Sequence, residues 1–210
     1  YVIISYYKHI IKLNFYMKTQ KVSKATKALL GSRKINICDL GCGGAKQNKD
    51  WFGVDIRKLP GVDLVQNLES FPWPIPSESF NTVVMSHVLE HIQKANGIML
   101  SFFNEIHRIL KPEGEVILSV PYATSPGFFR DPTHTSPINE ELFSYLDPQD
   151  NLYNGGLYHI YSVLPWRIKL LTWHQVGNLE CVLVKRDILP EYNVDPEYLK
   201  ILKKHTKLMK

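Results

Sequence analysis

From residue 35 onward the spacing of apolar positions changes several times along the chain, and each change predicts an element. Ile35-Asn36-Ile37-Cys38-Asp39-Leu40 is a short apolar run ending at Gly41, the pattern of a buried strand that feeds a tight turn. Trp51-Phe52-Gly53-Val54-Asp55-Ile56 repeats that pattern, Val62-Asp63-Leu64-Val65 is a weaker third strand, and Phe80 to Ser86 is a fourth. Three prolines in Phe71-Pro72-Trp73-Pro74-Ile75-Pro76 exclude helix and inner strand there. Leu89, Ile92, Ile98, Leu100, Phe103, Ile106 and Leu110 then recur near helical spacing, which predicts an amphipathic helix over roughly 88–110, stopped by Lys111-Pro112-Glu113-Gly114. Glu115 to Val120 is a further buried strand. Residues 122–138, with Pro126, Gly127, Pro132 and Pro137, read as a long loop of the kind that carries function. Asn139 is expected to cap a short helix over 140–146, and 151–158 is rich in turn formers. Arg167 to Trp173 and Leu179 to Lys185 form a hairpin through Gln175-Val176-Gly177-Asn178.

Alternating β and α units imply an α/β fold, Rossmann-like and doubly wound, with a mainly parallel sheet and helices on both faces. The C-terminal hairpin is expected to add an antiparallel strand at the edge. Ligands of such sheets bind at the carboxyl ends of the strands. That places Asp39 with its glycines, Asp55, the loop near Asn67, Ser86-His87 and Pro121-Tyr122 around one site. The expected organisation is a basic, aromatic extension over 1–34, possible as an amphipathic helix, a single domain over 35–187, and a basic tail over 188–210.

Charge sharpens this division. Residues 1–34 carry eight Lys or Arg and no acid, and 200–210 carry five Lys and no acid. The remaining stretch therefore has 12 basic residues against all 20 acids, a net of −8. A nucleic-acid reader concentrates positive charge on the surface that grips phosphate, so no specific nucleic-acid partner is expected. The basic ends read first as solvated arms, with contact to RNA or peripheral contact with a membrane surface as the alternative. The apolar stretch Tyr1 to Tyr16 is interrupted by Lys8, His9, Lys12 and Asn14 and is too short to span a bilayer, with Met17 a natural start. Three cysteines, Cys38, Cys42 and Cys181, make no disulfide framework and suit a reducing, cytoplasmic setting.

The chemistry concentrates in Asp39-Leu40-Gly41-Cys42-Gly43-Gly44. Glycines after a strand let the backbone turn sharply and approach a ligand. A dinucleotide site would place a third glycine where this chain has Lys46. An acid two residues before the first glycine repels a pyrophosphate and suits an ammonium or sulfonium cation. Asp55, ending the second strand, offers two acceptor oxygens to a pair of ribose hydroxyls.

These residues carry a resemblance. Asp39-Leu40-Gly41-Cys42-Gly43, Gly53-Val54-Asp55, Phe80 through His91 and Ile106 through Gly114 resemble, in order and spacing, the successive motifs of class I S-adenosylmethionine-dependent methyltransferases, most closely the type 11 group. The likeness covers about 35–147. It implies a seven-stranded sheet with a reversed last strand, S-adenosyl-L-methionine as cofactor, and methyl transfer as the activity. It further implies that Gly41 and Gly43, with Cys42 between them, pass under the methionine part, and that Asp39 faces its amino group. Asp55, with Ile56 beside it, would hold the ribose. Asn67 and Leu68 would flank the adenine, and Ser86 and His87 would close the methionine side. The chain departs from the pattern in two places. The segment from Gly44 to Trp51 leaves room for only a turn or two of helix, and Asn67 stands where the family often has Asp.

The acceptor side is assigned to the loop Phe128-Phe129-Arg130-Asp131-Pro132-Thr133-His134, where His134 or Asp131 would take a proton from an oxygen or nitrogen acceptor. Bracing of the loop is the competing role for both. The expected acceptor is a small molecule or a glycan or lipid precursor. Two other readings stand beside this one. The first is a cofactor-binding module without turnover. The second is a zinc hydrolase using His87-Val88-Leu89-Glu90-His91, an inverted His-x-x-Glu-His signature that would set His87 and His91 on one helix face. The preferred reading assigns no metal.

Overall fold

The computed structural model describes residues 36–44, 46–147, 164–174 and 177–186. Seven strands form one sheet: β1 (Ile37–Leu40), β2 (Phe52–Asp55), β3 (Leu64–Val65), β4 (Phe80–Ser86), β5 (Leu110–Pro121), β6 (Trp166–Trp173) and β7 (Asn178–Lys185). Their order is β3-β2-β1-β4-β5-β7-β6. The pairs from β3 through β5 are parallel, and β7 runs antiparallel to both β5 and β6. The chain thus adopts the expected Rossmann-like α/β sheet with an antiparallel C-terminal hairpin.

The reversed strand is not at the edge, contrary to expectation. β7 sits between β5 and β6, because Leu179, Cys181, Leu183 and Val184 are buried, whereas β6 exposes Arg167, Lys169 and Leu170 and takes the edge. Of the sequence-based elements, the 151–158 turns, the whole of the N-terminal extension and the basic tail lie outside the described residues.

Helix formation departs from the periodic pattern in an informative way. α1 is Ile98–Ile109, not the whole of 88–110. Upstream, Leu89–His91 and Ala95–Gly97 are separate 3-10 turns, and His87, Asn96 and Gly97 have φ of 55°, 55° and 73°. Left-handed backbone at these residues ends any α-helix, and Asn and Gly tolerate it best. The apolar residues before Ile98 keep their core positions through turns, so burial alone imitated a helical period. At its other end α1 passes straight into β5, so Lys111 to Gly114 opens the strand that it was expected only to precede. The proline-rich 122–138 loop contains a short helix, α2 (Pro126–Arg130), with Pro126 in its first turn and the Ser125 hydroxyl accepting from Phe128 N at 3.3 Å. α3 (Glu140–Leu146) begins at Asn139 as expected, but through the Asn139 backbone carbonyl, with no side-chain cap.

The core is aromatic. Phe52 and Phe80 pack at 5.6 Å, Trp73 meets Phe102 edge-on at 5.6 Å, and Phe103 meets Trp166 at 6.3 Å. A buried ion pair ties the proline-rich loop to α1. Glu105 and Arg108 are 6% and 4% exposed and 2.7 Å apart. Glu105 accepts from Trp73 N, while Arg108 donates to the carbonyls of Trp73 and Ile75. His107, on the same helix, is held neutral by burial, with its pKa lowered to about 3. Among the described residues no helix is long and apolar enough to cross a membrane.

Candidate functional site

The carboxyl ends of β1, β2 and β4 carry the site. β1 delivers Leu40 into Gly41, whose N–H and that of Cys42 both donate to Val54 O, at 2.8 and 3.1 Å. The turn is thereby fastened to β2. Gly41 (φ 69°) and Gly43 (φ 60°) are left-handed, and a Cβ on Gly41 would lie 2.4 Å from Val88 Cγ2. Only glycine fits there, because Val88, just after β4, closes on the turn.

Asp39 is 3% exposed, and Gln47 N donates to its carboxylate at 3.3 Å. Burial raises its pKa, partly offset by that N–H and by Lys46. A buried carboxylate with one long hydrogen bond is a site for a cation. Asp55 is the opposite case. Burial would raise its pKa, but N–H donors outweigh that and hold it below the usual carboxylate range. Gly43 N donates at 2.9 Å to one oxygen, and Arg57 donates to the other from N at 2.9 Å and Nε at 3.2 Å. Asp55 is thus held as an anion, and the Arg57 side chain that donates to it is 66% exposed.

Ile56 is 62% exposed beside Asp55, an apolar surface at the strand end. Leu68 is buried in the core. Asn67 is exposed, and its side-chain oxygen accepts from Glu69 N at 2.9 Å in a local turn, so one lone pair is already occupied. Ser86 and His87 are both exposed at the end of β4.

Among the described residues, the segment between β1 and β2 forms turns and no helix, shorter even than the turn or two expected. Lys46 fastens it. Its buried Nζ donates to Asp63 Oδ2 and to Trp51 O, each at 2.8 Å, and its stem crosses Gly53, where a Cβ would lie 2.5 Å from Lys46 Cδ. Asp63 Oδ2 also accepts from Gly53 N at 2.9 Å. This staple, which sequence reading missed, ties the loop after β1 to β2 and to the residue before β3. A lysine replacing the third glycine, with an acid before the third strand, was its only signal.

The acceptor-side residues form a second group. Asp131 accepts from Thr133 N at 2.8 Å and Thr133 Oγ1 at 2.6 Å, and these bonds hold its carboxyl below the usual range. It is a brace for the loop and a weak base, which favours the competing role. His134 Nδ1 lies 2.8 Å from Phe128 O, and its Nε2 is 3.9 Å from both Asp131 and Glu90. His87 and His91 do not share a helix face, because their segment is a left-handed residue followed by a 3-10 turn. The hydrolase arrangement drawn from their spacing is therefore absent. Glu90, which the sequence offers only as the middle acid of that signature, is fully buried and in contact with His87.

A family model described as a methyltransferase domain matches residues 13–176. No curated protein matches the chain by sequence. Among solved structures, the chain is similar to the YcgJ protein of Bacillus subtilis, at 14% identity over 78% of this chain and 99% of that one, with a TM-score of 0.48. It is similar to a 16S rRNA (adenine(1408)-N(1))-methyltransferase from Catenulisporales acidiphilia, at 16% identity over 81% and 93%, TM-score 0.49. It is also similar to an S-adenosylmethionine-dependent methyltransferase from Mesorhizobium loti, at 16% identity over 80% and 100%, TM-score 0.45.

Proposed function

The chain belongs to the methyltransferase domain family and is an S-adenosylmethionine-dependent methyltransferase, and we propose that it methylates a small molecule or a glycan or lipid precursor with the donor seated on the Asp39–Gly43 turn. The observation that carries this placement is the buried Asp39 carboxylate beside a left-handed glycine turn. Asp39 is under-supplied with donors, as a partner for an ammonium group must be. Gly41 and Gly43 bring bare backbone to the ligand. Asp55 holds the ribose diol by exchanging the Arg57 side chain for hydroxyl donors, while its backbone bonds keep it ionised. Ile56 and the Asn67-Leu68 segment border the adenine, and Ser86 and His87 border the methionine side.

When bound, the cofactor supplies an electrophilic methyl group, so the protein's task is to align the acceptor for in-line attack. His134, whose Nε2 lies 3.9 Å from Glu90 and from Asp131, would take the acceptor's proton where the acceptor needs a base. Asp131 keeps the loop in shape. The net charge of −8 between the basic ends counts against a polyanionic acceptor.

The test is transfer of labelled methyl from S-adenosylmethionine to fractionated cell extract. Label is expected in the small-molecule or lipid fraction. Label confined to RNA or protein would overturn this choice of acceptor.

A further inference from the structure

Beyond the cofactor turn, the structure gathers Glu90, His91 and His134, each offering one ligand atom, with those atoms all within 4.8 Å of one another. We propose that these three residues form a binding site for a divalent transition metal ion.

The hydrogen bonds around the cluster leave its inward-facing atoms without protons. Asn178 Nδ2 lies 3.3 Å from His87 Nε2 and can only donate, so His87 Nε2 accepts and its Nδ1–H donates to Glu90 Oε1 at 3.1 Å. Glu90 Oε2 has no hydrogen-bond partner, on a residue with no solvent exposure. His134 Nδ1 lies 2.8 Å from a carbonyl, Phe128 O, and therefore carries the proton and donates it. His91 Nδ1 lies 3.3 Å from Thr133 O and 3.2 Å from Thr133 Oγ1. That hydroxyl donates to Asp131 at 2.6 Å, so His91 Nδ1 is the donor here too. Both imidazoles therefore keep a bare Nε2.

A carboxylate oxygen left buried and unpaired is destabilising, and a bound cation would relieve that. At 3.9 Å the His134 Nε2 to Glu90 Oε1 separation is too long for a hydrogen bond. Two metal–ligand bonds of about 2.0–2.2 Å reach at most about 4.4 Å, so this pair is already within reach of one ion, and any wider separation in the cluster, at most 4.8 Å, would close by a few tenths of an ångström on binding. Metal-bound imidazoles characteristically donate their other N–H to a carbonyl or carboxylate, which is what His91 and His134 do. Two imidazoles and a carboxylate suit zinc, manganese or iron(II) and leave positions open.

The scaffold is built around the cluster from both sides. Thr135 N and Ser136 N both donate to Glu90 O, at 3.0 and 2.9 Å, and Lys94 Nζ donates to Pro137 O at 2.7 Å. The 131–138 loop and the turn after β4 are thus fastened together, with Val88 of that turn touching the Gly41 position. The site differs from the hydrolase signature in taking His134 in place of His87. In the loaded site His134 Nε2 holds the ion and is no longer open to the acceptor's proton. The open positions would receive an acceptor hydroxyl and the ion would ease its deprotonation, a role that rests on the methyl-transfer reading. Metal binding itself does not.

The test uses chelator-treated, tag-free full chain titrated calorimetrically with Zn2+ and separately with Mn2+, alongside S-adenosylmethionine titration without metal. One ion per chain is expected to bind, with affinity falling at least tenfold in His134→Ala, His91→Ala and Glu90→Gln. His174→Ala, at an exposed histidine outside the cluster, is expected to bind as wild type does. Because Glu90→Gln changes a buried group, its thermal transition is recorded too, and the two histidine variants carry the test if it does not fold. Absence of binding, or binding unchanged in His91→Ala and His134→Ala, would overturn the metal site. S-adenosylmethionine binding that survives in that case would leave the methyltransferase reading untouched.

Discussion

Gly41→Ala is expected to destabilise the protein by about 2–5 kcal/mol and to weaken S-adenosylmethionine binding at least tenfold. Two costs add. A non-glycine residue in left-handed backbone costs roughly 1–2 kcal/mol, and Gly41 has φ 69°. The new methyl would also lie 2.4 Å from Val88 Cγ2, and overpacking of a core costs about 1–3 kcal/mol. The double variant Gly41→Ala/Val88→Ala separates the costs. It removes the collision but not the backbone strain, so thermal denaturation should show partial recovery beyond what Val88→Ala alone predicts. No recovery would show that Val88 is not what closes on the turn.

Arg108→Ala should be still more damaging to stability, by about 3–5 kcal/mol, because it strands a buried carboxylate. Arg108 donates to both Glu105 oxygens and to two loop carbonyls, and without it Glu105 keeps only Trp73 N. Against a total stability of about 5–15 kcal/mol, that places the variant near the edge of folding. Urea denaturation measures the loss. Glu105→Gln in the Arg108→Ala background should recover part of it by removing the orphaned charge. The loop leads into the amino end of β4, opposite the glycine turn. Cofactor affinity of the folded fraction should therefore stay close to wild type.

The inner strands were legible because each carries an apolar run closed by a residue that stops it, Gly41, Asp55, Ser86 and Pro121, although β5 begins five residues before its run. The order of β7 and β6 was not, since a hairpin read in one dimension does not say which strand slips inside. It was written instead in how completely Leu179 to Val184 avoids charge compared with Arg167 and Lys169, Glu180 excepted. The helix expected from residue 88 failed at Asn96-Gly97, a pair that favours left-handed backbone and outweighs the apolar spacing around it. In the site, Asp39, the glycines and Asp55 were readable because their types and spacing state their chemistry. Lys46 with Asp63, and Glu90 with His134, were not. Each pair joins residues 17 or more positions apart through packing that no local pattern encodes.

The central claim is that the Asp39–Gly43 turn seats the methyl donor, with the Asp39 charge meeting its ammonium group. Calorimetric titration of wild type and Asp39→Asn with S-adenosylmethionine tests it most directly, because the amide keeps the side chain's shape and its bond from Gln47 N while removing the charge. One saturable site is expected in wild type, and at least a tenfold weaker one in a variant that folds as well as wild type or better. Equal affinity in the two proteins would contradict it.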